Sequence, residues 1–293
     1  VFSISPNKIK IHTTNTFKIA NTSPSAASAT ADLNGKATLM ACSAILERLT
    51  KMVAEEWQVD PASVTLQDEY VYVNGQKTWD WQQLITTGHV KRIGLSEHAH
   101  YATPIIHFDL ANEKGHPFAY HVHGTAITTN TVDCLRGTYT IDSVKLVHDA
   151  GASMNKAVDL GQMEGGIVQG IGWMTMEEIV YDAEGRLRSN ALSTYKVPDI
   201  YSVPKEMSIE FLQTPQENLA IFRSKAVGEP PLIYGIGAYF GIRKAIRAFN
   251  PEATIPFSAP ITPEKVLMAL YANRPQSINP SHEETNKNLA VDQ

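Results

Sequence analysis

Residues 161–180 read GQMEGGIVQGIGWMTMEEIV and constrain the fold most strongly, because glycine recurs at positions 161, 165, 166, 170 and 172. The apolar residues between these glycines have helical spacing, which predicts a helix. Each glycine inside a helix costs about 1 kcal/mol relative to alanine, so this many glycines need a reason. Either the helix packs closely on a neighbour, or a ligand approaches its backbone. Taken alone, the stretch favours close packing.

Polar side chains on this predicted helix are candidates for ligand binding. Gln162, Glu164 and Gln169 lie among small residues, and a neutral amide can both donate to and accept from a polar heteroaromatic ring. The glycine spacing does not fit the G-x-G-x-x-G fingerprint, and no strand with a downstream acidic residue frames it. The helix is therefore not predicted to bind a dinucleotide.

Helices and strands are predicted on both sides of this helix. Before it, the sequence predicts a helix over 32–49, a hairpin of 64–66 and 70–73 leading into Asn74-Gly75, a short helix, and strands at 104–110, 118–128 and 138–149. After it, the sequence predicts a strand at 208–212 and helices at 235–249 and 262–271, the last with Thr262 as N-cap and proline next. The spacing is not that of regular βαβ units, so we expect an α+β fold: mixed sheets flanked by helices, in one or two subdomains. We expect one domain over 1–272 and a polar, disordered tail over 273–293.

Composition excludes several classes of protein. The 293 residues include 25 Lys+Arg and 30 Asp+Glu, so the basic patch of a nucleic-acid-binding protein is absent. The longest apolar run, 230–242, is shorter than the roughly 20 residues of a membrane span, and no signal peptide is visible. Two cysteines, Cys42 and Cys134, are too few for a disulfide framework or a Cys-only metal site. We therefore expect a cytoplasmic protein that binds neither nucleic acid nor membranes.

Histidines are concentrated between His89 and His123. His121 and His123 would share one face of the predicted strand, and two ligands on one face can bind a metal. A third ligand at a convincing spacing is missing. The pattern favours surface or packed histidines, and no metal ligand is assigned.

Two segments carry groups suited to catalysis or binding. Residues 224–232 read SKAVGEPPL, and a carboxylate such as Glu229, held in a stiff and mostly apolar turn, suits general-base catalysis. A solvent-facing loop carboxylate fits the same residues, and composition alone favours it.

Residues 13–30 are rich in hydroxyl side chains and alanine. They could present backbone N–H groups to an anion at the start of a helix, although an ordinary capped helix fits equally well.

The order of these segments points to one family. NTSPSAAS, ADLNG, DLGQMEGGIVQGIG, STYKVP and SKAVGEPPL follow one another along the chain. Together they resemble the C-terminal part of the molybdenum-cofactor subunit in the xanthine dehydrogenase and aldehyde oxidase family of molybdenum hydroxylases. The resemblance covers about residues 13–249 and implies the second half of a molybdopterin-binding domain.

The resemblance implies a role for each matching residue. Glu229 would be the general base in hydroxylation of a purine, hypoxanthine or xanthine, with oxygen derived from water. Ala27, Ser28, Thr30 and Gln169 would contact molybdopterin, and the protein would give no ligand to the metal. The SKAVGEPPL stretch is more similar to the xanthine dehydrogenases than to relatives that oxidise aldehydes or carbon monoxide.

The resemblance also implies partners. The remaining half of the molybdenum subunit would complete the active centre, and partner subunits or domains would carry [2Fe–2S] clusters and FAD. We therefore expect this chain alone to bind molybdopterin weakly and to lack turnover. Two alternatives stay open: oxidation of an aldehyde or another N-heterocycle by the same chemistry, and a noncatalytic part that binds cofactor or assists assembly.

Overall fold

The computed structural model describes residues 1–12, 15, 17, 26, 28–212 and 220–273. The chain forms two compact units, each built from three segments. Unit 1 comprises Val1–His123, Asp149–Asp159 and Phe211–Glu229, and unit 2 comprises Gly124–His148, Leu160–Glu210 and Pro230–Gln293. Residues 274–293, most of the predicted tail, lie outside the described residues.

Unit 1 consists of a long helix, a small antiparallel sheet, a second helix and a separate hairpin. In chain order these are α1 (Thr30–Trp57), β1 (Val64–Gln67), β2 (Tyr70–Val73), β3 (Gln76–Asp80), α2 (Trp81–Val90), β4 (His107–Asp109) and β5 (Lys114–His116). The sheet order is β1-β2-β3, and β4 pairs with β5 alone. The hairpin predicted at 64–73 is therefore part of a three-stranded meander. Asn74 and Gly75 form the turn between β2 and β3, both with positive φ, as a two-residue hairpin turn requires.

The core of unit 1 lies between α1, α2 and the sheet. Leu49, Met52 and Val53 of α1 are buried against Val71 of β2 and Leu84 of α2. The helix predicted over 32–49 continues to Trp57, because the same spacing of apolar residues continues through Met52 and Val53. A capping box, in which Asp80 and Gln83 bond each other's backbone N–H groups, fixes the start of α2.

Unit 2 contains the larger sheet and most of the glycine-rich helix. Its elements are β6 (Gly124–Val132), β7 (Tyr139–His148), α3 (Lys156–Thr175), β8 (Glu206–Phe211), α4 (Ile236–Phe249) and α5 (Pro263–Leu270). The sheet order is β6-β7-β8, and the first residues of α3 and the last of β8 belong to unit 1. The predictions of β7, α4 and α5 are confirmed, as is the Thr262 cap, whose side chain accepts from the Lys265 N–H.

Tight packing of α4 on β6 and α5 forms the core of unit 2. A Cβ on Gly237 would lie 2.4 Å from Thr128 Oγ1, and one on Gly241 would lie 2.1 Å from Asn130 Nδ2. Ile242 is fully buried in the same cluster. Glycine at these two helix positions therefore lets α4 approach the strand closely.

One predicted strand and the predicted glycine-rich helix end earlier or begin later in the structure than the sequence suggested. The strand predicted at 118–128 begins only at Gly124, and before it the His121 carbonyl accepts from the Lys225 side chain. The helix predicted to reach Val180 ends at Thr175, and the Val180 N–H donates to Ser189 Oγ instead. Across the described ranges, no helix combines the length and the apolar character that a membrane crossing needs.

Candidate functional site

The backbone leading to Glu229 is fixed against a neighbouring segment of unit 1. The Lys225 N–H donates to the Ala150 carbonyl at 2.9 Å, and the Ala152 N–H donates to the Arg223 carbonyl at 2.8 Å. Gly151, between these bonds, has φ +63°, and a Cβ there would lie 2.3 Å from the Arg223 oxygen. Only glycine satisfies both conditions, so this position determines the course of the chain before Glu229.

A nearly buried ion pair holds the same segment. The Lys225 ammonium contacts the Asp149 carboxylate and donates to the His121 carbonyl at 2.9 Å. The two side chains are only 9% and 12% exposed. Burial disfavours the charge of Asp149, but hydrogen bonds from Lys225 and from the Gly151 N–H outweigh burial and lower its pKa. Asp149 therefore stays ionised at neutral pH and keeps Lys225 in place.

Tyr120 links the next residue of the segment to the first turn of α1. Its hydroxyl donates to Asp32 Oδ2 at 2.6 Å and accepts from the Ala226 N–H at 3.0 Å. Burial, together with the bond to Asp32, raises the pKa of Tyr120 well above its usual value of 10. Burial also raises the pKa of Asp32, although the Tyr120 bond opposes this. The phenol is thus protonated at neutral pH and available as a donor.

Ser28 and Glu229, predicted from opposite ends of the chain, meet in the structure. The Glu229 N–H donates to Ser28 Oγ at 2.8 Å across 201 residues of sequence. Ser28 has φ +53°, a conformation that a serine adopts rarely. The Glu229 side chain is exposed, so the described residues do not supply the apolar enclosure that the sequence suggested for this carboxylate.

The start of α1 presents hydrogen-bond donors beside this contact. The helix begins at Thr30, and no described side chain caps it. The first intrahelical bond of this end runs from the Leu33 N–H to the Ala29 carbonyl at 3.0 Å, which leaves the N–H groups of 30–32 without an acceptor inside the helix. Ala27 lies outside the described residues, and Thr30 is exposed.

Close packing of α3, in unit 2, explains three of its glycines. A Cβ on Gly166 would lie 2.8 Å from Pro231 Cβ, and one on Gly170 would lie 2.1 Å from the Leu232 carbonyl oxygen. A Cβ on Gly172 would lie 2.3 Å from Pro198 Cγ. Close packing, which the sequence favoured, is confirmed at these three positions.

The N-terminal half of α3 is open on one side. No described atom outside the immediate chain lies within 4 Å of a Cβ built on Gly161 or Gly165. Gln169 follows at the same four-residue spacing, so the three share one side of the helix, and Gln169 is exposed. The structure therefore joins Ser28 to Glu229 in unit 1, with Thr30 two residues further along the chain, whereas Gln169 belongs to unit 2.

The histidines do not form a metal site in the described part of the chain. The rings of His121 and His123 lie with their centroids 6.4 Å apart. Within the described ranges, no group of three or more His, Cys, Asp or Glu side chains is arranged to hold a metal ion.

Most of the chain resembles proteins of one kind. Residues 1–204 match the family model of the molybdopterin cofactor-binding domain. The chain belongs to this family. The chain is 36% identical over 269 residues to xanthine dehydrogenase/oxidase of Rattus norvegicus, covering 90% of the chain and 19% of that protein. It is 34% identical over 268 residues to aldehyde oxidase 1 of Bos taurus, covering 90% and 18%. The domain thus spans about a fifth of the length of the curated relatives it matches.

Solved structures confirm the fold of the molybdopterin-binding domain. Quinoline 2-oxidoreductase from Pseudomonas putida 86 matches 86% of the chain with a TM-score of 0.71 and 21% sequence identity, over 31% of its own chain. A Cu,Mo-CO dehydrogenase matches 80% of the chain with a TM-score of 0.64. The predicted α+β fold and the predicted resemblance to molybdenum hydroxylases of the xanthine dehydrogenase and aldehyde oxidase type are both confirmed.

The donors at the start of α1 fit the chemistry of molybdopterin, the cofactor of this family. Uncapped N–H groups at a helix N-terminus suit phosphate oxygens, since the donors point outward and the helix dipole favours negative charge. Accepting from the Glu229 N–H uses one lone pair of Ser28 Oγ and leaves its hydroxyl hydrogen for a further acceptor. The donor set of this segment is therefore compatible with the cofactor.

Four residues of the site were not found from the sequence: Asp32, Tyr120, Asp149 and Lys225. Lys225 lies inside the SKAVGEPPL stretch, so its place in the stretch was a signal that could have been used. Tyr120 carries no local signal, since its partners lie 88 and 106 residues away along the chain.

Proposed function

We propose that this molybdopterin-binding domain supplies the general base and part of the cofactor site of a molybdenum hydroxylase that acts on a purine such as hypoxanthine or xanthine. Glu229 is the base. The observation that carries the proposal is the 2.8 Å bond from the Glu229 N–H to Ser28 Oγ. It holds the backbone of the carboxylate residue against the helix start whose donors suit the cofactor.

In this proposal the residues that the family resemblance implies contact the cofactor. The hydroxyls of Ser28 and Thr30, and the backbone N–H groups that begin α1, donate to phosphate and pterin oxygens. Ala27 contributes through its backbone. Gln169, exposed beside the open positions of α3, donates and accepts through its amide. When bound, the cofactor supplies a metal centre that accepts two electrons from the substrate.

Glu229 acts as the proton acceptor in this proposal. One Oε atom of its carboxylate accepts a proton from the water-derived oxygen as that oxygen bonds to an electron-poor ring carbon. The overall change replaces the C–H bond of that carbon by C–OH, releasing two electrons and two protons. Because the Glu229 side chain is exposed, it is accessible to a substrate, while the bonds at Lys225, Ala226 and Glu229 restrict its backbone.

The proposal includes partners, since the chain spans only 18–19% of the relatives' length. The remaining half of a molybdenum subunit completes the active centre, and [2Fe–2S] clusters and FAD on other domains or subunits carry the electrons away. Without them, the chain alone binds molybdopterin weakly and shows no turnover. A purified chain that oxidised a purine unaided would contradict this part of the proposal.

A second substrate class has specific support. Identity to aldehyde oxidase 1 is 34%, close to the 36% for xanthine dehydrogenase/oxidase. The same base chemistry would then act on an aldehyde or another N-heterocycle. Activity of the assembled enzyme on hypoxanthine, xanthine, a set of aldehydes and quinoline separates the two classes. If no substrate turns over, the domain has a cofactor-carrying or assembly role.

Replacing Glu229 tests the base assignment. In the enzyme assembled with its cofactor and partners, Glu229→Gln should lower kcat by about 100-fold or more, the usual contribution of a general base. Cofactor content should stay unchanged, because the bond to Ser28 uses the backbone N–H and not the side chain. Glu252→Gln is the matched control, since Glu252 is also an exposed carboxylate next to a proline. Near-normal turnover of Glu229→Gln would show that the base is another group.

A further inference from the structure

The four residues from Ala226 to Glu229 are tied to the α1 region at both ends. At the first end, the Ala226 N–H reaches the Tyr120 hydroxyl, which in turn donates to Asp32 in the first turn of α1. At the second end, the Glu229 N–H reaches Ser28, two residues before the helix. Val227 and Gly228 lie between these two anchors. The distance between the helix start and the Glu229 backbone is therefore set by two side-chain hydroxyls.

The direction of the Tyr120 bonds is fixed by chemistry. A phenol has one hydrogen, and Tyr120 gives it to the Asp32 carboxylate at 2.6 Å, so toward Ala226 the oxygen can only accept. A carboxylate acceptor makes the donated bond short and strong. Asp32 thus holds the Tyr120 hydroxyl in the orientation that Ala226 requires. The surrounding packing is close as well, since a Cβ on Gly35 of α1 would lie 3.0 Å from Ile221 Cδ1.

We propose that Tyr120, oriented by Asp32, is a positioning residue for Glu229. The proposal rests on the proposed function of Glu229 as the base. Tyr120 holds the amide three residues before the base, and its own partner is part of the helix whose start holds the cofactor. Loss of the hydroxyl lets the 226–229 segment shift relative to α1, and a shift of about 1 Å in a reacting group can lower a rate by up to about 100-fold.

The test uses Tyr120→Phe in the assembled enzyme, because this change removes the hydroxyl and keeps the ring. We expect kcat to fall on the order of 10-fold with KM within about twofold and with normal cofactor content. Amide hydrogen exchange of a peptide covering 224–229 should become faster, since the Ala226 N–H loses its acceptor. Tyr139→Phe is the control: its half-buried hydroxyl donates to the Thr175 carbonyl in unit 2, and its loss should change neither kcat nor that exchange rate.

Variants of Asp32 test the hydrogen bond from the Tyr120 hydroxyl to the Asp32 carboxylate. Asp32→Asn keeps an oxygen that accepts from Tyr120 and should keep most of the activity, whereas Asp32→Leu should behave like Tyr120→Phe. The double variant Tyr120→Phe/Asp32→Leu should be no slower than Tyr120→Phe, because both changes break one hydrogen-bonded chain. Additive losses would overturn the proposal.

The outcomes separate this proposal from the function of Glu229. If Glu229→Gln loses turnover while Tyr120→Phe keeps normal kcat and normal exchange, only the positioning role is wrong. An equal loss of kcat in Tyr120→Phe and Tyr139→Phe overturns it too, because the loss would then reflect general destabilisation. If Glu229→Gln keeps its turnover, the assignment of the base fails, whatever Tyr120→Phe does.

Discussion

The two halves of the stretch SKAVGEPPL are held in different ways. Residues 224–229, in unit 1, are held by polar bonds: an ion pair at Lys225 and side-chain acceptors for the N–H groups of Ala226 and Glu229. Residues 230–232, in unit 2, are held by close packing on the glycines of α3. Polar bonding requires specific partners from distant parts of the chain, whereas close packing requires the absence of side chains. The difference predicts that the two halves respond to different kinds of substitution.

Removing a polar partner in unit 1 should have the largest effect on stability. Asp149→Ala leaves the Lys225 ammonium, 9% exposed, without its counter-charge, and an unpaired buried charge costs about 3 kcal/mol. Urea denaturation of the purified protein at pH 7 should show this loss in the free energy of unfolding. Glu47→Ala is the control, because it breaks an exposed ion pair with Lys51 and should have no measurable effect.

The effect of Asp149→Ala on the free energy of unfolding should depend on pH. The pKa of Asp149 is lowered from 3.8 in the folded protein, so its charge stabilises the fold above pH 3.8, and this stabilisation is lost as the pH falls through the folded pKa. The difference in unfolding free energy between wild type and Asp149→Ala should therefore shrink below pH 3.8. A difference that stayed constant between pH 7 and pH 3 would contradict the importance of the ion pair.

Adding one methyl group to the packed face of α3 should have the next largest effect. A Cβ on Gly170 would lie 2.1 Å from a backbone oxygen that cannot move aside cheaply, so Gly170→Ala should lower the free energy of unfolding by about 2 kcal/mol. Gly165→Ala, on the open face of the same helix, should instead raise it by about 0.5–1 kcal/mol. Equal effects at the two positions, measured by urea denaturation, would mean that the two faces do not differ.

Sequence patterns predicted the elements whose apolar residues recur regularly. Helix α4, for example, presents Ile242 and Ile246 to the core at the predicted four-residue spacing. Strand β3 was missed because QKTWD is largely exposed in the sheet and shows no apolar alternation. The end of α3 was misplaced because the bond from Val180 to Ser189 competes with the helix and depends on residues outside it.

The residues of the candidate site also divide into those that a local sequence pattern predicts and those that it does not. Ser28 and Glu229 were predicted because each lies in a recognisable stretch, and the structure brings them together. The Lys225–Asp149 pair spans 76 residues and the Tyr120–Ala226 bond spans 106. Contacts between residues so far apart leave no local pattern in a single sequence, so only the folded chain shows what holds Glu229 in place.

Substitution of Ser28 tests most directly whether the start of α1 and Glu229 form one site. Ser28→Gly suits the backbone there, because φ is +53° and glycine adopts that angle without strain. It removes both the acceptor of the Glu229 N–H and a proposed donor to the cofactor. In the assembled enzyme we predict that the retained pterin, measured by its fluorescence after release, falls, and that substrate reduces the enzyme on the order of 10-fold more slowly. Wild-type pterin content together with a wild-type rate of reduction would contradict a shared site.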